Sequence, residues 1–370
     1  MRRATIALGI AFVVLAAGSG VASAADPGLW IKTSQLTKPA YYRQGLASDP
    51  ATGDVYYSGS FVGIYRTHDE REIVTNTNPI PKDVAQTEQY NHIGDIALDA
   101  GEGGRLLLPL ESYQPFQPDQ NPSKTGSIGV MDAKTLEWKY YVKLDPSEIQ
   151  KTQWVATDPQ SGLVWTISGS DLLAYSLADL NPANAAPAAL PIHSVRRLVN
   201  AAPDGAGGAV LFGGRLYLST QVGSVNRVVS VDTTTGASQV EIERVGTLEP
   251  EGLDAGAYLD GLLHWELVPG GGLSSTQLVN FVPRGAHLSL SVKHARVKAA
   301  KQVTIAATAY VYANGRWIPL RGVEIRLAGK HADTSPTGHA KLGVKLTRGA
   351  YRIQAFYRGL RSAVRKIRAT

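Results

Sequence analysis

Hydrophobic and polar positions alternate along most of the chain in short runs, which are bounded by turns rich in glycine, proline and aspartate. One copy of the pattern covers residues 153–169, where two β-branched and aromatic runs flank the turn Asp158-Pro-Gln-Ser-Gly162. Related copies start near residues 44, 94, 206 and 251. Alternation with a period of two predicts β-strands, and self-similarity at about fifty residues is typical of propellers and solenoids. The pattern therefore predicts an all-β repeat protein.

Each repeat divides into four predicted strands, but the last repeat supplies only three, near 250–256, 260–268 and 276–282. The alternating segment 29–36 precedes the first repeat, and we expect it to be the missing outer strand of the last one. Closure of this kind removes the free edge of a ring of sheets. We therefore predict a five-bladed β-propeller over residues 25–284. Six blades are the alternative, with the extra blade in segment 186–200.

The order of the runs changes near residue 285, where the predicted propeller ends. The pattern Gly-Val-x-Ile-x-Leu-x-Gly at 322–329 is followed by Thr-x-x-x-Gly-x-Ala-x-Leu at 334–342 and Gly-x-Tyr-x-Ile-x-Ala at 349–355. These runs predict a small β-sandwich over residues 285–370. The module resembles the immunoglobulin-like and carboxypeptidase-regulatory-like modules of secreted bacterial proteins. That resemblance implies an accessory role rather than chemistry.

The five repeats resemble secreted bacterial β-propellers of the group that includes the YncE-like and gluconolactonase-like folds. Gluconolactonase-like relatives hold a divalent ion at the propeller axis, with an acidic residue opening an inner strand. Glu251, in the sequence Pro250-Glu-Gly-Leu253, matches that position, whereas Gln44 and Gln153 stand where those relatives have asparagine ligands. The resemblance implies a binder, a scaffold or a metal-dependent hydrolase.

The first 24 residues contain two arginines, an apolar run from 6 to 17 and the small-residue sequence Val21-Ala-Ser-Ala24. This order is typical of a secretory signal peptide, so we expect a mature chain that begins at Ala25 and is secreted or extracytoplasmic. No later apolar run is long enough to cross a bilayer, which predicts no transmembrane segment. The chain has no cysteine, so buried surface must hold it together. We expect a monomer.

Charge is distributed unevenly between the two predicted modules. Residues 25–284 contain 18 Lys and Arg against 29 Asp and Glu, whereas residues 285–370 contain 17 against two. A strongly basic module favours an anionic partner, for which we expect a carbohydrate or an anionic polymer of the cell envelope. The alternative is that the basic module docks on the acidic propeller. We expect no nucleic-acid partner, because the chain is exported and has no nucleic-acid-binding motif.

Polar residues recur where the predicted inner strands begin and where the second strands end, and in a propeller both points lie at one mouth of the central channel. The set comprises Gln44, Ser58, His92, Asp95, Glu111, Gln153, Ser168, Thr220, Glu251 and Glu266. Two insertions, 110–126 with Tyr113 and 269–275, should emerge at the same mouth. This mouth is the predicted site. The alternative is that these residues are polar only because the mouth is in contact with water.

Three roles are open to these residues. The carboxylates suit Ca²⁺ as oxygen ligands, and the candidate ligands are Asp95, Glu111, Glu251 and Glu266. Acid and base catalysis is open to His92, Glu111 and Glu251. Ligand binding is open to Gln44, His92, Tyr113, Gln153, Glu251 and Glu266. No phosphate loop, His-Glu-x-x-His, Gly-x-Ser-x-Gly or EF-hand sequence is present.

Other polar residues have structural interpretations. Asp49 and Asp158 each precede proline and a glycine, which predicts Asx turns rather than metal loops. His264 lies inside a predicted strand and is expected to be a hydrogen-bonded core histidine. Two functions follow from the whole sequence. The first is a secreted binding or scaffold protein, with a ligand site on the propeller and a basic anchoring module. The alternative is a calcium-dependent hydrolase or lyase acting on a carbohydrate, lactone or phosphoester.

Overall fold

The computed structural model describes residues 29–370 except 60–62, 102–103, 114–124, 204, 259–260, 270–274, 285, 314–315, 320–321, 336 and 358–359. The predicted signal peptide and most of the two insertions lie outside the described residues. The described chain is nearly all β, as predicted, with one α-helix, α1 (Lys82–Glu88), and two 3-10 turns at Leu177–Asp179 and Pro182–Asn184. None of the helical segments within these residues is long and apolar enough to cross a membrane.

Five antiparallel sheets follow one another between residues 30 and 283, and their inner strands come first in each sheet. Strand β1 (Trp30–Lys38) precedes them. The first sheet contains β2 (Gly45–Ser48), β3 (Asp54–Ser58), β4 (Ile64–His68) and β5 (Arg71–Asn76). The second contains β6 (His92–Ile93), β7 (Ala97–Asp99), β8 (Arg105–Glu111), β9 (Ser127–Asp132) and β10 (Trp138–Lys143).

The remaining three of these sheets have the same order. The third contains β11 (Ala156–Asp158), β12 (Leu163–Ser168), β13 (Asp171–Ser176) and β14 (Arg196–Leu198). The fourth contains β15 (Ala206–Phe212), β16 (Arg215–Val222), β17 (Val225–Asp232) and β18 (Ser238–Val245). The fifth contains β19 (Leu248–Tyr258), β20 (Gly261–Pro269) and β21 (Thr276–Pro283), and its fourth strand is β1.

Strand β1 completes the fifth sheet as its outer strand, which confirms the prediction for segment 29–36. It runs antiparallel to β21, from the pair Trp30 and Pro283 to the pair Lys38 and Thr276. Trp30 is buried, and its indole N–H donates to Glu241 of the fourth sheet at 2.9 Å. The first strand is therefore held by a backbone ladder and by a buried aromatic anchor.

Each sheet shares an apolar core with the next, and the fifth shares one with the first. Representative pairs within the shared cores are Tyr56 with Leu106, Leu107 with Leu173, Trp165 with Leu218, Tyr217 with Trp265, and Leu278 with Tyr57. The cores therefore form a closed cycle over the five sheets. This arrangement is consistent with an all-β propeller.

Aspartates accept hydrogen bonds in the turns that join successive strands of a sheet. Asp49, Asp132, Asp158 and Asp232 each accept a hydrogen bond from the amide two residues further along the chain. This is the geometry of an Asx turn, in which the carboxylate takes the place of a backbone carbonyl. The turn interpretation of Asp49 and Asp158 is confirmed.

Two further sheets follow residue 286. The sixth contains β22 (His287–Val292), β24 (Gln302–Ala313), β25 (Arg316–Pro319) and β28 (His339–Lys345). The seventh contains β23 (Arg296–Val297), β26 (Glu324–Leu327), β27 (Lys330–Asp333), β29 (Gly349–Tyr357), β30 (Leu360–Arg361) and β31 (Arg365–Ala369). Alternate residues of both sheets, such as Leu290 and Ile353, enter one apolar cluster. The two sheets therefore enclose a common core.

The same apolar cluster continues into the fourth and fifth sheets, so the two parts of the chain are joined by nonpolar packing. It includes Leu262 and Phe281 together with residues of the sixth and seventh sheets. One buried hydrogen bond crosses the junction, from the Tyr357 hydroxyl to the Gly261 carbonyl oxygen at 3.0 Å. Every ion pair between two described residues lies within residues 29–284 or within residues 287–370.

Candidate binding site at the entry end of the sheets

The entry end is defined here as the end of the five sheets where the inner strands begin and the second strands finish. Asp95, just before β7, lies there and is completely buried. Its Oδ1 accepts the amide of Leu46 at 2.9 Å, and its Oδ2 accepts the amides of Ala209 at 2.9 Å and Leu253 at 3.1 Å. Its own amide donates to the Gln153 carbonyl oxygen at 3.1 Å. Asp95 therefore joins the inner strands of all five sheets.

Glycines allow these strands to come so close together. A Cβ atom added to Gly45 would lie 2.3 Å from the Asp95 Cα, and one added to Gly94 would lie 1.8 Å from the Gln153 carbonyl oxygen. Both distances are far inside van der Waals contact with backbone atoms, so any side chain at either position would push the inner strands apart. The backbones of the inner strands thus pack directly against Asp95.

Asp95 is a structural acceptor and does not fit its predicted role as a calcium ligand. Burial raises the pKa of its carboxyl group, and the three amide hydrogen bonds act in the opposite direction. Both oxygens already have donors. Within the described ranges, no group of three or more histidine, aspartate or glutamate side chains is arranged to hold a metal ion. The predicted set of Asp95, Glu111, Glu251 and Glu266 therefore does not fit Ca²⁺.

The structure does bring together three of the predicted residues on the second sheet. His92 and Glu111 are cross-strand partners on β6 and β8, and His92 Nδ1 lies 2.8 Å from Glu111 Oε1, although the angle is not that of a hydrogen bond. The Tyr113 ring centroid lies 5.2 Å from that of His92. Asn91, which the sequence did not single out, holds the Tyr113 backbone through bonds of 2.7 and 2.9 Å.

The fifth sheet contributes two carboxyl groups to the entry end. Glu266 is only 1% exposed, and neither of its carboxylate oxygens has a hydrogen-bond partner in the part of the chain that the structure describes. Burial and the charge of Asp95 raise its pKa, while Arg43 lowers it. Glu251 keeps some exposure, but burial and four neighbouring carboxylates also raise its pKa. Both groups are therefore weaker acids than an ordinary glutamate and can donate a hydrogen bond when protonated.

Buried hydroxyls for which the described residues offer no hydrogen-bond partner also lie at this end. Ser112 directly follows β8 of the second sheet, and Thr152 precedes β11 of the third. Thr220 lies in β16 of the fourth sheet, and Thr276 begins β21 of the fifth. A buried polar group without a partner costs about 1–3 kcal/mol, so ordered water or a ligand normally satisfies it. The entry end is therefore suited to a hydroxylated ligand. Uncharged hydroxyls give no distinct sequence signal, and only Thr220 was predicted.

The remaining predicted residues divide into two groups. Gln153 and Ser168 line a cavity of about 340 Å³ beside Glu148 and Lys151. Gln44, by contrast, donates its amide to the adjacent Arg43 carbonyl oxygen at 3.0 Å. The Ser58 hydroxyl donates to the Gly94 carbonyl oxygen at 2.8 Å, which is a bond between the first and second sheets. These two side chains serve the local backbone.

His264 is a core residue, as predicted. It is completely buried, its Nδ1 lies 2.7 Å from Asn280 Oδ1, and its Nε2 lies 3.0 Å from the Gly256 carbonyl oxygen. The Tyr258 ring packs on it with the centroids 3.8 Å apart. Both ring nitrogens are therefore used inside the fifth sheet.

No protein-family model matches the chain, and no curated protein matches it. Solved structures do show likeness. One is a chain of a mitotic checkpoint complex, with 10% identity, a TM-score of 0.35 and coverage of 92% of this chain and 96% of that one. Another is Sqt1 of Saccharomyces cerevisiae, with 11% identity, a TM-score of 0.32 and coverage of 68% and 59%.

A third similar structure is a putative oxidoreductase (glucose dehydrogenase) of Thermus thermophilus. It is 10% identical, has a TM-score of 0.37, and the match covers 67% of this chain and 98% of that chain. At these identities and TM-scores, the likenesses assign neither a family nor a function to this chain.

Proposed function

We propose that this protein is an extracytoplasmic binding protein, in which a five-bladed propeller presents a ligand site and a basic immunoglobulin-like β-sandwich anchors it to an anionic carbohydrate or envelope polymer. The closed cycle of five cores and the closing strand β1 support five blades. The common core of the sixth and seventh sheets supports the sandwich. The composition of residues 1–24 supports export.

The outer face of the seventh sheet carries the proposal. Residues that alternate along β29 share one face, and cross-strand pairing places Lys366 opposite Arg352 and Arg368 opposite Ala350. Residues on this face that are exposed and cationic are Arg296, Arg326, Arg352, Arg361, Lys366 and Arg368, called the basic face below. Glu324 and Asp333 are the acidic residues of the same sheet. A flat surface with this charge attracts polyanions.

The basic face keeps its charge available because the junction with the first five sheets is apolar. Between described residues, no ion pair connects the basic part to the acidic part, and Arg326 with Glu324 is the one ion pair within residues 287–370. The alternative was that the basic module docks on the acidic propeller. The two parts do pack together, but through nonpolar contacts and one hydrogen bond, which leave the cations of the basic face unpaired with described acidic residues of the propeller. Exposed cations without a carboxylate partner are strongly hydrated and cost little to keep. A polyanion that binds them releases the counterions condensed on the polyanion itself.

An aromatic ring organises part of the basic face. The guanidinium carbon of Arg326 lies 4.4 Å from the Phe356 ring centroid, and that of Arg361 lies 5.9 Å from it. Stacking restricts two long side chains before any ligand binds, which lowers the entropy cost of binding. Arg326, Arg352 and Phe356 also line a groove of about 460 Å³. A groove of this size holds a monomer unit of a polymer rather than a whole chain.

Retention of the full mature chain on immobilised heparin and on immobilised polygalacturonate tests this function. The test variant combines Arg352→Gln, Lys366→Gln and Arg368→Gln, and its matched control combines Lys293→Gln, Lys341→Gln and Lys345→Gln, which removes the same charge outside the seventh sheet. We expect the parent and the control to be retained at about 50 mM salt and released by about 200 mM. The test variant should flow through. Equal retention of the two variants would contradict the proposal.

The pair His92 and Glu111 supports a second candidate function, an acid–base hydrolase or lyase that acts on a carbohydrate, lactone or phosphoester. His92 Nδ1 lies 2.8 Å from Glu111 Oε1, and Glu251, whose pKa is raised by burial, can supply a proton at the same end of the sheets. The calcium-dependent form of this candidate has no support from the ligand geometry.

Two measurements separate the second candidate from the first. Hydrolysis or elimination by the parent, lost in His92→Gln and in Glu251→Gln with the fold intact, would establish an acid–base enzyme. A rise in melting temperature with Ca²⁺ that Glu251→Gln abolishes would restore a metal role. A binding protein should show neither result.

A further inference from the structure

We infer that the cleft between the third and fourth sheets is a second binding site, for a small hydroxylated carboxylate of the size of a sugar acid. The cleft lies at the turn ends of these sheets, opposite the entry end, and its volume is about 690 Å³. This volume lies within the range of small-molecule pockets. Its polar lining includes Asp158, Gln160, Trp165, Arg196, Thr233 and Thr234.

Trp165, which lines this cleft, has an indole N–H without a hydrogen-bond partner among the described residues. The side chain is 1% exposed, whereas the N–H of Trp30, which is also buried, donates to Glu241 at 2.9 Å. Trp154 also lacks a partner but is not part of the cleft. An unmet buried N–H costs about 1–3 kcal/mol, and a ligand oxygen would remove that cost. The cleft therefore favours a ligand with an acceptor.

A cation without a carboxylate partner lies beside that donor. The guanidinium carbon of Arg196 is 5.8 Å from the Trp165 ring centroid, and its Nη2 donates to the Thr234 carbonyl oxygen at 3.2 Å. Among the described residues, Arg196 makes no ion pair, whereas the next residue, Arg197, pairs with Asp171. The positive charge of Arg196 is therefore available to a ligand, and stacking on the indole restricts its position.

The acidic residue of the lining does not neutralise this charge. The Asp158 carboxylate accepts the amides of Gln160 and Ser161 and the Ser161 hydroxyl, so it is committed to its own turn. The hydroxyls of Thr233 and Thr234 complete the polar lining. A carboxylate matches the planar guanidinium in a bidentate pair, and ligand hydroxyls match the two threonines. These groups together select a hydroxylated carboxylate.

Calorimetric titration of the full mature chain with D-glucuronate at constant ionic strength tests this site. D-Glucose, which lacks the carboxylate, and acetate, which lacks the hydroxyls, are the comparison ligands. The test variants are Trp165→Phe, which removes the N–H and keeps an aromatic ring, and Arg196→Gln, which removes the charge at the rim. Arg71→Gln, an exposed arginine of the first sheet, is the control.

We expect D-glucuronate to bind the parent at least tenfold more tightly than either comparison ligand. Each test variant should weaken that binding at least tenfold, and Arg71→Gln should leave it unchanged. Arg196→Gln is the deciding variant if Trp165→Phe does not fold. A parent that does not bind D-glucuronate, or binding that Arg196→Gln leaves unchanged, would overturn the inference.

Discussion

Groups of like charge gather in two regions of this molecule, and the regions accommodate them in opposite ways. At the entry end, carboxylates are withdrawn from water, and burial raises the pKa of Asp95, Glu251 and Glu266. On the basic face, exposed cations are spaced along strands and remain hydrated. The difference shows that carboxylates buried close together need hydrogen bonds from backbone amides, or a bound proton, to offset the loss of water. Exposed charges keep their water and stay available for a partner.

Removing the central acceptor should produce the largest effect and break the first half of this comparison. Asp95→Ala leaves the amides of Leu46, Ala209 and Leu253 buried without an acceptor. At about 1–3 kcal/mol for each unmet donor, we expect the free energy of unfolding to fall by at least about 3 kcal/mol. Urea denaturation measures this.

The control for that variant is Asp158→Ala, because Asp158 bonds only within its own turn. Its loss should be about 1 kcal/mol or less, as for other surface turns. If the two alanine variants were equally destabilised, Asp95 would not be the point that joins the sheets.

Removing the charge of Glu266 should have a smaller effect with the opposite sign. The pKa of Glu266 is raised in the folded state, whereas in the unfolded chain the group loses its proton above a pH of about 4.5. Between the unfolded and the folded pKa, the folded protein therefore binds a proton that the unfolded chain has released. Stability falls as pH rises between these two pKa values. Glu266→Gln should therefore raise the free energy of unfolding at pH 8 by about 1–3 kcal/mol. The slope of stability against pH should become shallower.

Asp54 provides the matched comparison, because it is also buried but pairs with the cationic side chain of Arg66. Burial alone would raise its pKa, but hydrogen bonds from Arg66 and His68 lower it. Its stabilising effect is present above the unfolded pKa and is lost as pH falls through the folded one. Asp54→Asn should therefore destabilise the protein at pH 8. A gain in stability in Asp54→Asn, or a loss in Glu266→Gln, would contradict the distinction.

Neutralising the basic face should have the smallest effect on stability. Arg352→Gln, Lys366→Gln and Arg368→Gln each remove an exposed side chain that forms no ion pair with another described residue, so we expect a change of about 0.5 kcal/mol or less for each variant. Thermal unfolding at one fixed salt concentration measures this. A large loss of stability would mean that these cations stabilise the seventh sheet and are not available to a ligand.

Local pattern predicted the strands well, because alternation and turn chemistry are properties of neighbouring residues. In the last repeat, the strands predicted near 250–256, 260–268 and 276–282 correspond to β19 (Leu248–Tyr258), β20 (Gly261–Pro269) and β21 (Thr276–Pro283). The pairing of β1 with β21 was also predictable, because a repeat with three strands leaves one position open.

The role of Asp95 could not be predicted in the same way. Its three amide donors are 49, 114 and 158 positions away along the chain, so only the closed arrangement of sheets brings them together. The same holds for Trp165 and Arg196, which lie in β12 and β14 on either side of β13. Their candidate role depends on the lack of an acceptor and of a carboxylate partner among the described residues. Sequence identified the charged candidates of the entry end, but not which of them the backbone had already engaged.

The salt dependence of polymer binding tests the central claim most directly, because it counts the cations that take part. The association constant of the full mature chain for heparin is measured between about 50 and 200 mM salt, for the parent and for the variant that combines Arg352→Gln, Lys366→Gln and Arg368→Gln. We expect log K to fall linearly with log salt, and the variant to lose about two to three units of slope. An unchanged slope in the variant, or binding by the parent that does not depend on salt, would contradict the account.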